Sequence, residues 1–259
     1  PTPDLAGLRE VYAAWCYSVP FDNLRKRIHI RAGDAGPLPG DEPADFLEGW
    51  LDHGAGGTCW AGNGALWALL VALGFPAVRG IGTMLAVPIP DLPPNHGTVG
   101  VDLDGARWLV DASMISVEPL RLADDDETEV AHPARGLSAR QREGRHHVSW
   151  NPGFREPFDC RIESFGASAD EFARRHEETR AWSPFNFGVM VRQNRGDEVI
   201  GIGMGQRLRI LPDGSQQHSE FEDDHDRLAW MVDELGYDEA LAARVPPDEP
   251  MPSPSGATS

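Results

Sequence analysis

The stretch Gly54-Ala55-Gly56-Gly57-Thr58-Cys59-Trp60-Ala61-Gly62-Asn63 leads a lone cysteine out of a run of glycines, and the rest of the chain is read outward from it. Downstream, Leu66, Leu69, Leu70 and Leu73 recur at i, i+3, i+4 and i+7, so a helix is expected from about Trp60 to Leu73, ending at Gly74-Phe75-Pro76. Cys59 therefore falls at the helix N-terminus. There the macrodipole and the unpaired amide N–H groups favour thiolate over thiol.

A cysteine is commonly a small core residue, so Cys59 alone does not make a site. Two further residues change the balance. His96 follows the Pro-rich stretch Pro88-Ile89-Pro90-Asp91-Leu92-Pro93-Pro94-Asn95 and opens the strand-like run Gly97-Thr98-Val99-Gly100-Val101. Asp111 closes the next such run, Arg107-Trp108-Leu109-Val110, after an Asp104-Gly105 turn signal. A hairpin of these two strands brings its outer ends together, so His96 faces Asp111. A thiolate beside an imidazole that a carboxylate orients is the general form of an activated nucleophile.

With these residues in place the chain resembles the arylamine N-acetyltransferases. The resemblance is carried by Val19-Pro20-Phe21-Asp22-Asn23-Leu24, where the family reads V-P-F-E-N-L, and by Gly56-Gly57-Thr58-Cys59-Trp60-Ala61-Gly62-Asn63, against R-G-G-x-C-F-E-x-N. His96, Val110-Asp111, Glu118-Pro119-Leu120 and Trp182-Ser183-Pro184-Phe185 follow in family order. The resemblance implies a transglutaminase-like α+β fold with an N-terminal helical bundle, a central antiparallel β-barrel and a C-terminal α/β lid. It also implies a Cys59-His96-Asp111 triad that passes an acyl group from a thioester to an amine. Phe21, Trp60, Asn95, Gly97 and Ser113 are the substrate-contacting candidates. No resident cofactor is expected; the co-substrate is an acyl-CoA, acetyl-CoA or longer, or a thioester on an acyl carrier protein.

Departures from the pattern cluster around the nucleophile. Ala55 stands where the family has arginine, Ala61 where it has glutamate, and Asp22 where it has glutamate, so the usual Glu–Arg pair cannot form and Asp22 needs another partner. After Asp111 the family reads V-G-F-G and this chain reads Ala112-Ser113-Met114-Ile115, which predicts added bulk near the ligand. These changes keep open an amide synthase of natural-product assembly with a non-acetyl donor, a hydrolytic or transglutaminase-like use of the triad, and a noncatalytic binding member.

The 259 residues, 41% hydrophobic, suffice for a substantial core. Cys16, Cys59 and Cys160 are too few for a disulfide framework and wrongly spaced for zinc, which points to a reducing cytoplasm. The beginning, Pro1-Thr2-Pro3-Asp4, carries no signal-peptide pattern, and no run is long enough to span a bilayer. A formal charge of -18 argues against nucleic acid. The acidic run Asp124 to Glu129 precedes Arg135, Arg140, Arg142, Arg145, His146 and His147; this reads first as a solvated mixed-charge loop, and otherwise as an island for a phosphopantetheine phosphate or an acidic carrier-protein helix.

Five segments are expected. Residues 1–77 form a helical part carrying Cys59, with helices near Leu5–Trp15 and Ala44–Leu51. Residues 78–166 form the barrel, with a long polar excursion before Val148. Residues 167–182 form a linking helix opened by a Ser168–Glu171 capping box. Residues 183–245 form the lid, with strands at 186–193 and 199–211, the second holding Gly201, Gly203 and Gly205 for close packing, and a helix at 224–235. The Pro-rich tail, 246–259, is expected to be disordered.

Overall fold

In the computed structural model, which describes residues 1–86 and 92–251, the first helix α1 (Leu5–Ser18) starts where the Asp4 carboxylate accepts the Gly7 N–H at 2.8 Å. Its buried Leu8, Val11, Tyr12, Trp15 and Cys16 lie at helical spacing and face one core. After β1 (Phe21–Asp22) come α2 (Leu24–Arg31), α3 (Pro43–His53) and α4 (Cys59–Ala72), the last beginning on the cysteine itself. Part of the Pro-rich stretch before His96, residues 87–91, lies outside the described residues.

The next eight strands are β2 (Ala77–Met84), β3 (His96–Leu103), β4 (Ala106–Val110), β5 (Leu120–Leu122), β6 (Thr128–Val130), β7 (Leu137–Arg142), β8 (Arg145–Trp150) and β9 (Phe158–Phe165). They form one antiparallel sheet in the order β5-β4-β3-β2-β9-β8-β7-β6, and the end strand β5 also contacts β6 and β7, so the sheet curls into a nearly closed barrel. The polar excursion thus contains three strands, two of them only three residues long. The β3–β4 hairpin turns at Asp104-Gly105, with φ of 50° and 73°, as the type I′ turn requires.

Helix α5 (Ala169–Trp182) opens at Ser168, whose hydroxyl accepts the Glu171 N–H at 3.1 Å. Then come β10 (Val191–Arg195), β11 (Glu198–Gly203), β12 (Gln206–Ile210), β13 (Gln216–Glu220), α6 (Asp224–Ala229) and α7 (Glu239–Ala242). Three features differ from expectation. The strand expected at 199–211 is a hairpin, because Met204 and Gly205 adopt φ of 52° and 75° and turn the chain; Gly205 is therefore a turn residue. The helix expected at 224–235 is α-helical only to Ala229 and widens into a π-type turn over Trp230–Glu234. The five-stranded sheet also takes its edge strand, β1, from the N-terminal part of the chain, in the order β1-β10-β11-β12-β13.

The tail is also ordered as far as it is described. Asp248 accepts from Arg27 Nη1 at 3.0 Å and from the Val189 N–H at 2.9 Å, and the Glu249 N–H reaches the Phe187 carbonyl at 2.8 Å. Buried Arg27 needs that carboxylate, which explains why a Pro-rich segment is strapped down at 247–249. The remainder of the expected tail, 252–259, lies outside the described residues.

Candidate active site

Cys59 sits on the first turn of α4, and its N-cap Thr58 makes no side-chain cap bond, so no cap hydroxyl claims the amides of that turn. Gly56 and Gly57 deliver it: a Cβ at Gly56 would lie 1.8 Å from the Pro20 carbonyl oxygen, and one at Gly57 would lie 2.9 Å from the Phe46 ring. The loop is pinned to β1, with the Asp22 N–H donating to the Gly57 carbonyl at 3.2 Å.

His96 opens β3 and Asp111 follows the last residue of β4, both buried. His96 Nε2 lies 2.7 Å from Asp111 Oδ2, which leaves the ring's Nδ1 free of the carboxylate. Burial works against the imidazolium, but the Asp111 carboxylate and Cys59 outweigh it and raise His96 to about 10. Burial likewise opposes the Asp111 carboxylate, yet His96, Thr98 and the Ser113 N–H hold it below its ordinary value. Both shifts favour the imidazolium–carboxylate form of the pair. Of the three sequence candidates the structure joins His96 and Asp111 directly, and Cys59 is among the groups that raise His96.

Asn63, one turn along α4, braces this pair. Its Nδ2 donates to the Gly97 carbonyl at 2.7 Å and its Oδ1 accepts the Ala112 N–H at 2.9 Å. One amide therefore locks the residue after the base and the residue after the carboxylate. From α1, the Tyr12 hydroxyl donates to the Asp111 carbonyl at 2.9 Å and accepts its N–H at 3.1 Å.

The departures from the family pattern have local answers. Asp22 is buried and accepts from the Gly56 N–H at 2.6 Å, the Leu24 N–H at 3.1 Å and the Tyr237 hydroxyl at 3.1 Å. Burial dominates those donors and raises its carboxyl to about 6. Tyr237, from beyond the five-stranded sheet, stands in for the missing arginine, and Ala55 packs in the same apolar cluster. After Asp111, buried Ile115 and Val117 take φ of 46° and 73°, so the left-handed backbone is kept without glycine there. The expected bulk near the ligand is turned away: Met114 packs into the barrel core and Ile115 into the core beneath α1 and α4.

Of the other candidates, Phe21 meets the Phe185 ring edge-on at 5.5 Å and Trp60 meets Phe172 at 4.9 Å. Gly97 lies under both rings of the second pair, since a Cβ there would come within 2.6 Å of Trp60 and 2.7 Å of Phe172. Asn95 is taken up structurally, its Oδ1 accepting the Met84 N–H at 2.8 Å. Among the described residues the buried Ser113 hydroxyl has no hydrogen-bond partner. The arginines of that island find partners outside it: Arg135 bonds the Gly196 carbonyl and Asp197, Arg140 and Arg142 share Asp159, and Arg145 meets Glu163.

Asn63, Phe172 and Tyr237 were not among the sequence candidates. Asn63 could have been found, because it lies four residues along a helix that begins on the nucleophile. Among the described residues no group of His, Cys, Asp and Glu is placed to hold a metal ion, and no helix is long and apolar enough to cross a membrane.

The family model described as N-acetyltransferase matches residues 4–151. A curated arylamine N-acetyltransferase from Mycolicibacterium smegmatis is 26% identical, covering 92% of this chain and 87% of that protein. The structure of Mycobacterium marinum arylamine N-acetyltransferase in complex with CoA aligns with a TM-score of 0.79 at 18% identity, covering 94% of this chain and 93% of that one. The Salmonella typhimurium arylamine N-acetyltransferase aligns at 0.78 and 17% identity, covering 94% and 92%.

Proposed function

Since the chain belongs to the arylamine N-acetyltransferase family, we propose that it transfers an acetyl group from acetyl-CoA to an arylamine through a thioester on Cys59. The observation that carries this reading is the buried His96, held by Asp111 and raised to about 10 by Asp111 and Cys59 together, beside a cysteine on the first turn of α4.

The Cys59 thiolate attacks the thioester carbonyl, and the developing oxyanion lies against the uncapped first turn of α4, where the Cys59 N–H points outward from the helix end. Collapse of the tetrahedral intermediate breaks the carbon–sulfur bond to CoA, whose sulfur takes the His96 proton. An incoming amine then attacks the acyl-enzyme carbonyl, neutral His96 accepts the amine proton, and the Cys59 thiolate leaves as the amide forms. Asp111 fixes the ring orientation throughout and supports its charge in the resting state. Phe21, on the strand that pins the nucleophile loop, and Trp60, next to the nucleophile, border the acyl and aryl groups.

Two-substrate kinetics test the reading. A covalent acetyl-enzyme gives parallel double-reciprocal lines for acetyl-CoA and an arylamine, with CoA released before any amine is added. Intersecting lines, or CoA release only with amine present, would replace it with direct transfer.

A further inference from the structure

Among the described residues three arginines are buried, Arg27, Arg135 and Arg192. The first two meet the carboxylates of Asp248 and Asp197. Arg192, on β10 and 4% exposed, has no carboxylate within ion-pair distance among the described residues, and burial alone lowers it, to about 10. It is still a guanidinium at neutral pH, and a buried charge is costly unless an anion joins it. What holds it is neutral. Nη1 donates to the Asn151 carbonyl at 2.5 Å, and the guanidinium carbon lies 5.3 Å from the centre of the Trp150 ring. Nε is enclosed without an acceptor; Nη2 has none either among the described residues, yet is not enclosed, so the guanidinium opens on accessible space at that nitrogen.

Strand register fixes where this cation stands. Phe21 of β1 lies directly opposite Arg192, so the two side chains share one face of the five-stranded sheet. Phe21 is bridged in turn to Gly57, two residues before Cys59. Two strand spacings, about 10 Å, therefore separate the Arg192 backbone from the nucleophile loop. On its other flank stands Gly201 of β11, which brings no side chain against the arginine. Two residues along the same face, Asn194 donates to the Ile115 carbonyl at 2.8 Å, in the loop that follows Asp111. Arg192 thus belongs to the sheet face that meets both the nucleophile loop and the loop leaving the catalytic carboxylate, with Phe21, edge-on to Phe185, as its neighbour.

We propose that Arg192 determines specificity by receiving a carboxylate carried on the ring of the acceptor arylamine, so that the acceptor is an aminobenzoate rather than a neutral aniline. This deepens the acetyl-transfer reading and rests on Phe21 bordering the aryl group. A guanidinium presents N–H donors in a fork that matches the oxygens of a carboxylate. Phe21 lies between the arginine and the nucleophile loop in register, so a ring held at Phe21 with its amine toward Cys59 directs a substituent at its far side toward Arg192. Burial favours this source over the phosphates of CoA. A place 4% exposed takes a single carboxylate, whereas a pyrophosphate with its nucleotide needs an open groove.

Steady-state kinetics of the full-length protein with acetyl-CoA give kcat/KM for 3- and 4-aminobenzoate and for the matching aminobenzamides, which are neutral but close in shape and electron demand. The unaltered protein is expected to prefer at least one aminobenzoate to its amide by about tenfold. No preference overturns the proposal. In Arg192→Gln the preference falls by about tenfold, carried by KM, and Arg192→Lys keeps part of it. A merely structural arginine would lower both members of a pair alike, so a preference that survives Arg192→Gln also overturns the proposal. If that variant does not fold, the unaltered protein and Arg192→Lys decide. The preference for acetyl-CoA over S-acetylpantetheine, which lacks the nucleotide phosphates, stays put in the variants; a fall there in place of the amine effect assigns the arginine to the donor and overturns the proposal. Failure of the acetyl-transfer reading has a separate signature, since the unaltered protein would then release no CoA from acetyl-CoA with any amine.

Discussion

Removing one oxygen, in Tyr237→Phe, tests how this chain manages without the arginine that its relatives place beside the nucleophile loop. Among the described residues Asp22 has three donors, and Tyr237 supplies the one from a side chain. A hydrogen bond to an ionised carboxylate is worth about 1.5–3 kcal/mol, and losing a hydroxyl opens no cavity large enough to add a packing term. The expected loss is therefore about 2 kcal/mol wherever Asp22 is charged. Its carboxyl titrates at about 6, because burial outweighs the donors, so the hydroxyl matters most above that pH. With the donor gone the folded-state midpoint moves higher still. Urea unfolding at pH 8 should show the full destabilisation, whereas at pH 5 the carboxyl is protonated and the variant should lose less than half as much. Because Asp22 Oδ2 also holds the Gly56 N–H, alkylation of Cys59 at pH 8 should slow in the same variant. Equal losses at both pH values, or none at pH 8, would refute the assignment of Tyr237 as the partner of a charged Asp22.

Asn63→Ala leaves the Gly97 carbonyl and the Ala112 N–H buried without partners; it should cost about 3 kcal/mol by thermal or urea unfolding and at least about tenfold in turnover as His96 and Asp111 lose register. His176 is buried and lowered to about 4, by burial first and then by Lys26. The unfolded chain therefore binds its proton first between pH 6.5 and 4, and about 3 kcal/mol of stability is lost as pH falls through that window. His176→Asn should flatten this limb in unfolding measured against pH, while Asp22, raised to about 6, works in the opposite direction in both proteins. Asp248→Asn removes the carboxylate from buried Arg27 and should destabilise by about 3 kcal/mol, with faster proteolysis at 247–249.

Much of the site was legible because it depends on short-range rules. Glycines before a leucine-periodic run put Cys59 on the first residue of α4, and Asp104-Gly105 set a hairpin whose register, Val99 opposite Val110, carries His96 to Asp111. What was missed depends on distant partners or on strained backbone. Lys26 stands between Arg25 and Arg27 and reads as part of a charged helix face; its burial is decided by Thr179, far along the chain. Asp22 is answered by Tyr237, likewise distant in sequence. The turns at Glu143-Gly144 and Met204-Gly205 use a left-handed non-glycine at their first position, and at Met204 the Gly-Ile-Gly-Met-Gly alternation concealed a hairpin inside what looked like one strand. The order in the tail follows from Arg27 needing a carboxylate, a demand invisible until α2 is seen to be buried.

The most direct test of acetyl transfer through Cys59 is intact-protein mass spectrometry after brief exposure to acetyl-CoA without an amine, alongside Cys59→Ala and longer acyl thioesters. The account predicts a single acetyl adduct that needs Cys59, forms best from acetyl-CoA and disappears when an arylamine is added. An adduct that persists in Cys59→Ala, or none from any thioester, would contradict it.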